Sequence, residues 1–340
     1  MIKNSQGKMD VSIVAIIPLY NGARWIEQSI ASVLSQTLQP DEFIVVDDGS
    51  TDDGPAIVER LAQNHPITLL RKPNGGQSTA RNFGVAHSNS RLIALLDQDD
   101  AWYPHHLETL IKPFRKPHGI PLGWVYGNLD EIDESGGVII KRKLDDFPAK
   151  EHPKRSLVNC LGEDMFILPS ASLISRAAFE AVGGFDERLC GFEDDDLCLR
   201  LFRAGYDNVY INEPLSKWRI YPSSTSYTSR MAISRMIYAK KLLAGFPDSP
   251  IQKRYFCRDC IAPRFARSVI FDCIKAVMKR DAKMFGVAVS HLRTLRPHLR
   301  LKPKIIVSVG LLCFGWFPMA SLAYRAGRPF EPIVRRLLSV

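Results

Sequence analysis

Four short apolar runs, at residues 12–17, 43–46, 67–70 and 92–96, alternate with segments whose apolar residues recur at helical spacing. Trp25, Ile26, Ser29, Ile30, Val33 and Leu34 form one such segment, Ile57, Val58 and Leu61 a second, and Ala80, Phe83, Gly84 and Ala86 a third. A short apolar run without alternation reads as a strand covered on both faces. Strands separated by helices are the pattern of a parallel sheet with crossover helices, so the chain is of the α/β class. A fifth strand is expected at 124–126, a hairpin around Gly136 and Gly137 between 129–132 and 138–140, and a further strand at 166–174. Leu197, Leu199, Leu201 and Phe202 mark a helix, 141–154 reads as a loose charged loop, and beyond about residue 226 the chain turns helical and basic. The expected organisation is a tail at 1–10, a sheet domain at 11–227 and a helical region at 228–340.

The runs end in polar, glycine-bearing or acidic loops on one side of the sheet, where ligands of open α/β sheets gather. The fourth breaks abruptly into Asp97, Gln98, Asp99 and Asp100. In an extended segment Asp97 and Asp99 point the same way, so both could aim oxygen at one hard cation, Mg2+ or Mn2+, with a diphosphate as the natural third party. The plainer alternative is an acidic cap before the helix that starts near Pro104.

With 46% hydrophobic and 24% charged residues in 340, general disorder is excluded. A net charge of +9 points to an anionic partner. Seven cysteines at irregular spacing do not make a disulfide framework, and the lone Cys257/Cys260 pair lacks the further ligands of a zinc site. The first ten residues have no apolar core, which argues against a secretory leader and for the cytoplasm. Residues 305–324 carry no charge and have basic residues on both flanks. Contact with the anionic inner face of the cytoplasmic membrane, around 303–326, fits as well as a span. No G-x-G-x-x-G is present, which disfavours a dinucleotide-dependent oxidoreductase. PLYNGARW after the first run is not the glycine-rich basic loop of a nucleotidyltransferase.

VAIIPLYNG (14–22), VVDDGSTDDG (45–54), NGGQSTARNFG (74–84), LLDQDDAW (95–102), GGFDE (183–187) and FEDDDLCLRL (192–201) resemble, in the same order, the inverting family 2 glycosyltransferases. That resemblance covers roughly residues 12–227. It implies a GT-A fold, a Rossmann-like, mostly parallel sheet flanked by helices, here followed by a basic helical C-terminal extension. It also implies transfer of a sugar from a nucleoside-diphosphate sugar, UDP first and dTDP second, to a hydroxyl of a glycan or lipid-linked acceptor. By motif position Pro18 and Tyr20 would contact base and ribose, and Asp48 would accept the imide N–H of uracil. Arg81 and Arg219 would serve the donor, with Asp97 and Asp99 the DXD pair and Asp99 the more direct ligand of Mn2+ or Mg2+. Within Glu193 and Asp194, the family's acidic pair, Asp194 would be the base, although Asp195 and Asp196 blur the count. Where many members have Arg, any residue, His, this chain has Arg219, Ile220, Tyr221, and a phenol is a poor ligand for a hard cation. His105 and His106 read as exposed residues at a helix start rather than substitutes. The competing reading is a non-catalytic sugar-nucleotide-binding or assembly protein of the same fold, against which Asp99 and Asp194 stand intact; an oligomer is compatible with either.

Overall fold

The structure, a computed structural model, describes residues 11–147, 151–222, 229–314 and 321. The tail at 1–10, the boundary at 227/228 and, apart from Ser321, the stretch 315–326 lie outside them. The chain divides into two compact units, residues 1–155 with 165–227, and 156–164 with 228–340.

The first unit is built on β1 (Ile13–Leu19), β2 (Glu42–Asp47), β3 (Thr68–Arg71), β4 (Leu92–Leu95), β5 (Ala101–Trp102), β6 (Leu122–Ile132), β7 (Val138–Ile140), β8 (Ser172–Ser175) and β9 (Asp207–Arg219). They form one sheet in the order 3-2-1-4-8-6-9-5, with β7 beside β6. The first four strands are mutually parallel, with Ala15 opposite Phe43 and Ala94. Beyond them β8 runs antiparallel to both β4 and β6, while β6 and β9 are parallel, so that half of the sheet is mixed.

All seven residues of β1 are buried, as expected of a strand flanked by strands and covered on both faces. Alternation then sorts its side chains. Ile13, Ala15, Ile17 and Leu19 pack with α1 (Ile26–Leu34), α2 (Gly54–Ala62) and α4 (His106–Phe114) through Ile26, Ile30, Val33, Val58, Leu107 and Leu110. On the opposite face α3 (Gln77–Ala86) presses Gly84 against Ile16. There a β-carbon would stand 2.7 Å from Ile16 Cγ2, so only glycine lets the helix come this close.

Three expectations need correction, and one strand was not expected. The strand expected at 166–174 is only Ser172–Ser175, because Phe166 has φ +52° and Pro169 opens a 3-10 turn over Pro169–Ala171. The loop at 141–154 contains a 3-10 turn at Lys143–Asp146 that buries Leu144. The long strand β9 had no expectation at all. Third, the chain leaves β4 at Leu95, and Asp97 to Asp100 form a turn closed by the Asp100 N–H donating to the Asp97 carbonyl at 3.0 Å. Asp97 and Asp99 are therefore placed by a turn and not by strand alternation.

The second unit holds α5 (Leu157–Gly162) and the helices α8 (Ser229–Gly245), α9 (Ala262–Met278), α10 (Ala282–Leu295) and α11 (Leu301–Phe314). Cys257 and Cys260 are buried in a π-helical turn just before α9. The first unit contributes α6 (Arg176–Ala181) and α7 (Glu193–Arg203).

Candidate active site

The carboxyl ends of β1, β2 and β4 and the amino end of α7 converge, and one side chain shows it. Arg81 on α3 is almost wholly buried, donating from Nη2 to Asp97 Oδ1 at 2.5 Å and from Nη1 to Glu193 Oε1 at 2.8 Å. Desolvation alone would lower its affinity for a proton, but Asp97 and Glu193 hold it above the usual guanidinium range. Gln77, one turn earlier, also donates to Glu193 Oε1 at 2.6 Å. The DXD turn and the start of α7 are thus gripped by one cation.

The four acids that open α7 have four different tasks. Glu193 faces Arg81, Asp195 Oδ1 accepts the Met165 N–H at 2.8 Å, and Asp196 pairs with Arg200 at 2.8 Å. All three are buried. Asp194 stays half-buried, its Oδ1 accepting the N–H of Asp195 at 2.8 Å. Phe192, which precedes them, sits at φ +63°, a left-handed conformation that costs a non-glycine residue about 1–3 kcal/mol and re-aims the chain into the helix.

In the DXD turn the Asp97 N–H donates to Ser170 Oγ at 3.1 Å, and Asp99 Oδ2 accepts the Tyr221 hydroxyl at 2.6 Å. Burial, then the charge of Asp97, pushes the Asp99 carboxyl upward. Asp100 is buried and its Oδ1 accepts the Arg219 N–H at 2.9 Å. Arg219, expected at the donor, is buried beside that turn. It donates to Asp99 O, Asp133 O, Glu134 O and Gln28 Oε1 at 2.6–3.1 Å, over the Trp25 ring at 5.6 Å. In this structure it ties the end of β9 to the DXD turn. Trp25, by its spacing only one more apolar helix position, also meets the Tyr221 ring at 4.5 Å.

At the end of β1, Pro18 is buried opposite Val46, and Tyr20 follows with its side chain 41% exposed. Gln98, the unassigned residue between the two DXD acids, clamps Tyr20. The Tyr20 N–H donates to its Oε1 at 2.7 Å, and its Nε2 donates to the Tyr20 carbonyl at 3.1 Å. Gly22 makes room for the clamp, since a β-carbon there would fall 2.4 Å from Gln98 Oε1.

Asp48, at the end of β2, is engaged on both oxygens by this chain's own donors. Oδ1 accepts from Lys72 Nζ at 2.5 Å and the Gly75 N–H at 3.0 Å; Oδ2 accepts from the Gly76 N–H at 2.7 Å and Asn74 Nδ2 at 3.3 Å. A carboxylate offers about four lone-pair positions, so an incoming imide would have to displace one of these bonds. Gly76, at φ +93°, supplies the backbone that brings its N–H inward. Lys72 and Asn74 were not singled out in the sequence.

His106 is fully buried, not exposed, stacked on Trp102 at 4.4 Å with Nδ1 on the Leu215 carbonyl at 3.0 Å. Burial pushes its pKa down to about 3. His105 is half-buried, 3.0 Å from Glu213.

Among the described residues no group of three or more His, Cys, Asp or Glu could hold a metal by itself. Mg2+ and Mn2+ sites of phosphate-transfer chemistry need less, one or two carboxylates completed by phosphate and water. Asp97 and Asp99 fit that share, being hard oxygen donors whose crowded charge a cation would neutralise.

The sequence matches the family model for glycosyl transferase family 2 over residues 14–183. It is 33% identical over 232 residues to an uncharacterised glycosyltransferase of Rickettsia prowazekii, covering 68% of this chain and 70% of that protein. The fold is similar to that of Staphylococcus aureus TarS 1–349 in complex with UDP-GlcNAc, with a TM-score of 0.64, 15% identity and coverage of 94% and 93%. It is also similar to the mannosyltransferase PcManGT of Pyrobaculum calidifontis in complex with GDP-Man and Mn2+, with a TM-score of 0.52, 18% identity and coverage of 97% and 87%.

Proposed function

This chain belongs to glycosyl transferase family 2 and has the GT-A fold, and from that premise we propose that it transfers a sugar from a nucleoside-diphosphate sugar with inversion, Asp194 acting as base. The observation that carries the reading is the Arg81 bridge, which holds the strand-end Asp97 and the α7 residue next to Asp194 around one guanidinium. Inversion needs an acid across the sugar ring from the leaving diphosphate, within reach of the acceptor hydroxyl. Of the four acids on α7, Asp194 matches the family's base by motif position and is the half-buried one, whereas Glu193, Asp195 and Asp196 are buried.

In the step itself the acceptor oxygen bonds to the anomeric carbon while its proton passes to an Asp194 carboxylate oxygen. The bond from that carbon to the diphosphate oxygen breaks, and its electron pair leaves with the nucleoside diphosphate. A divalent cation bound by Asp97 and Asp99 would supply charge neutralisation on the departing diphosphate. Arg81 keeps Asp97 aimed and Tyr221 fixes Asp99, so both carboxylates are oriented in advance.

UDP is the first choice of nucleotide and dTDP the second. The UDP-GlcNAc complex of the TarS neighbour supports UDP, and the Mn2+ of the PcManGT complex supports a divalent metal. The acceptor is a hydroxyl of a glycan or of a lipid-linked saccharide, reached from the inner face of the cytoplasmic membrane, as the basic helical second unit suggests.

The test is release of nucleoside diphosphate from UDP-sugars by the full chain with Mn2+, with and without chelator, against Asp194→Asn. The substitution should cut turnover about 10²–10⁴-fold, the usual worth of a positioned base, and leave donor affinity in place. Undiminished turnover removes Asp194 from the role.

A further inference from the structure

The face of α11 turned away from its own unit carries a row of exposed apolar side chains. Leu301 is 72% exposed, Ile305 53%, Ile306 37%, Val309 54% and Leu312 87%. At 100° per residue these five fall within an arc of about 140°. Lys302, exposed, lies in the same arc.

The exposure is not that of a helix without a seat. Val307 is buried and Leu311 packs on the Phe285 and Val289 cluster. Arg300, which leads into α11, donates to Asp259 Oδ1 at 2.8 Å, and Arg296 Nη1 donates to Ser308 Oγ at 3.4 Å. The inner side of α11 is therefore fixed, and the apolar side is held outward.

We propose that this face docks on an anionic lipid surface, with α11 lying along the membrane plane and Leu301, Ile305, Val309 and Leu312 inserted among the headgroups. Charge selects the occupant. Residues 228–340 carry 22 Lys and Arg against 5 Asp and Glu, whereas residues 1–227 carry 23 against 31. So strong a positive excess repels a second copy of the same surface and is drawn to an anionic leaflet. α11 is apolar on both sides: the inner side is engaged by its own unit, and the outer side, with Lys302 beside it, is left for contact with a membrane surface. Among the described residues no helix is long and apolar enough to cross a membrane.

This deepens the peripheral placement proposed above and does not depend on the transfer reaction. The experiment is co-sedimentation of the full chain with vesicles of phosphatidylcholine alone or with phosphatidylglycerol, beside Ile305→Glu with Val309→Glu. The native chain should sediment with the anionic vesicles and, about tenfold more weakly, with the neutral ones, and rising salt should release it. The double variant should lose anionic-vesicle binding about tenfold or more while keeping its melting temperature and its donor hydrolysis in solution. Equal binding by variant and native chain, or no binding by either, overturns the proposal. So does a native dimer that the substitutions render monomeric, which would make this face an interface between copies. Absence of donor hydrolysis in all samples would instead count against the transferase reading and leave the vesicle result standing.

Discussion

Arg81 and Asp48 are each a single side chain on which several backbone segments depend. Arg81 joins carboxylates 16 and 112 residues away in sequence, one a proposed cation ligand and the other next to the proposed base. Breaking a buried pair by removing one partner strands the other charge, at a cost of about 3–5 kcal/mol. Arg81→Met should therefore lower unfolding stability by that order in a urea titration, as well as abolish turnover; a loss near the ~0.5 kcal/mol of a surface pair would show that Glu193 is not held as described. Arg81→Lys should recover little, since one ammonium cannot reproduce the fork that spans Asp97 and Glu193. Asp48 poses a different question. Asp48→Asn turns an amide N–H toward donors from Lys72, Asn74, Gly75 or Gly76. It should cost about 1–3 kcal/mol of stability besides weakening nucleotide binding. A residue that only read the base would weaken binding and leave the melting temperature alone. The acids of DDGS and DXD could be located from residue type and spacing, but Lys72, Gln98 and Trp25 could not, because their tasks follow from which loops come to lie side by side.

Elements were legible where their periodicity is clean. β1 and β4 are buried through their length and β2 in all but Glu42, so unbroken apolar runs announced them within a residue or two of their ends. β9 was invisible because its thirteen residues, DNVYINEPLSKWR, carry Pro214 and scattered charge, and its pairing with β6 shifts register around Gly127 and Asn128. A strand that changes register keeps no constant inward face for a sequence pattern to record. The DXD turn escapes the pattern for a related reason, since an apolar run marks the strand but not the residue at which its ladder with β1 stops, here Leu95 opposite Ile16. Helix glycines offer a test at this scale, with opposite signs at two sites. A β-carbon at Gly84 on α3 would meet the stiff β-branched Ile16 at 2.7 Å and Val46 at 3.1 Å, whereas one at Gly286 on α10 would have nothing within 4 Å. Gly84→Ala should destabilise the first unit by about 1–2 kcal/mol by overpacking, despite the better helix propensity of alanine. Gly286→Ala should stabilise the second by about 0.5–1 kcal/mol. Denaturation midpoints of the two variants moving the same way would contradict the packing described for α3.

For the whole molecule, composition and periodicity reached only the α/β class with a parallel sheet, and the GT-A fold was implied by the resemblance that the ordered motifs carry. What no motif specified is how much polar and titratable material the fold encloses, and His106 shows the consequence. Its imidazole is fully buried and its pKa falls from an ordinary 6.5 to about 3, chiefly through desolvation. Above pH 6.5 it is neutral in folded and unfolded chains alike and leaves stability unchanged with pH. Between about 6.5 and 3 the unfolded chain binds a proton that the folded chain refuses, so unfolding is favoured by up to about 1.4 kcal/mol for each unit that the pH falls. The stability attributable to this one group is complete above pH 6.5 and lost on acidification, a total on the order of 5 kcal/mol. His106→Gln keeps a donor for the Leu215 carbonyl and removes the titration. Its unfolding free energy, measured beside the native protein from pH 7 down to the acid transition, should start lower and then fall less steeply, on the order of 1 kcal/mol less per pH unit. Parallel curves would mean that His106 takes up its proton in the folded state, which the closed packing of Trp102 and the Leu215 carbonyl around it does not allow.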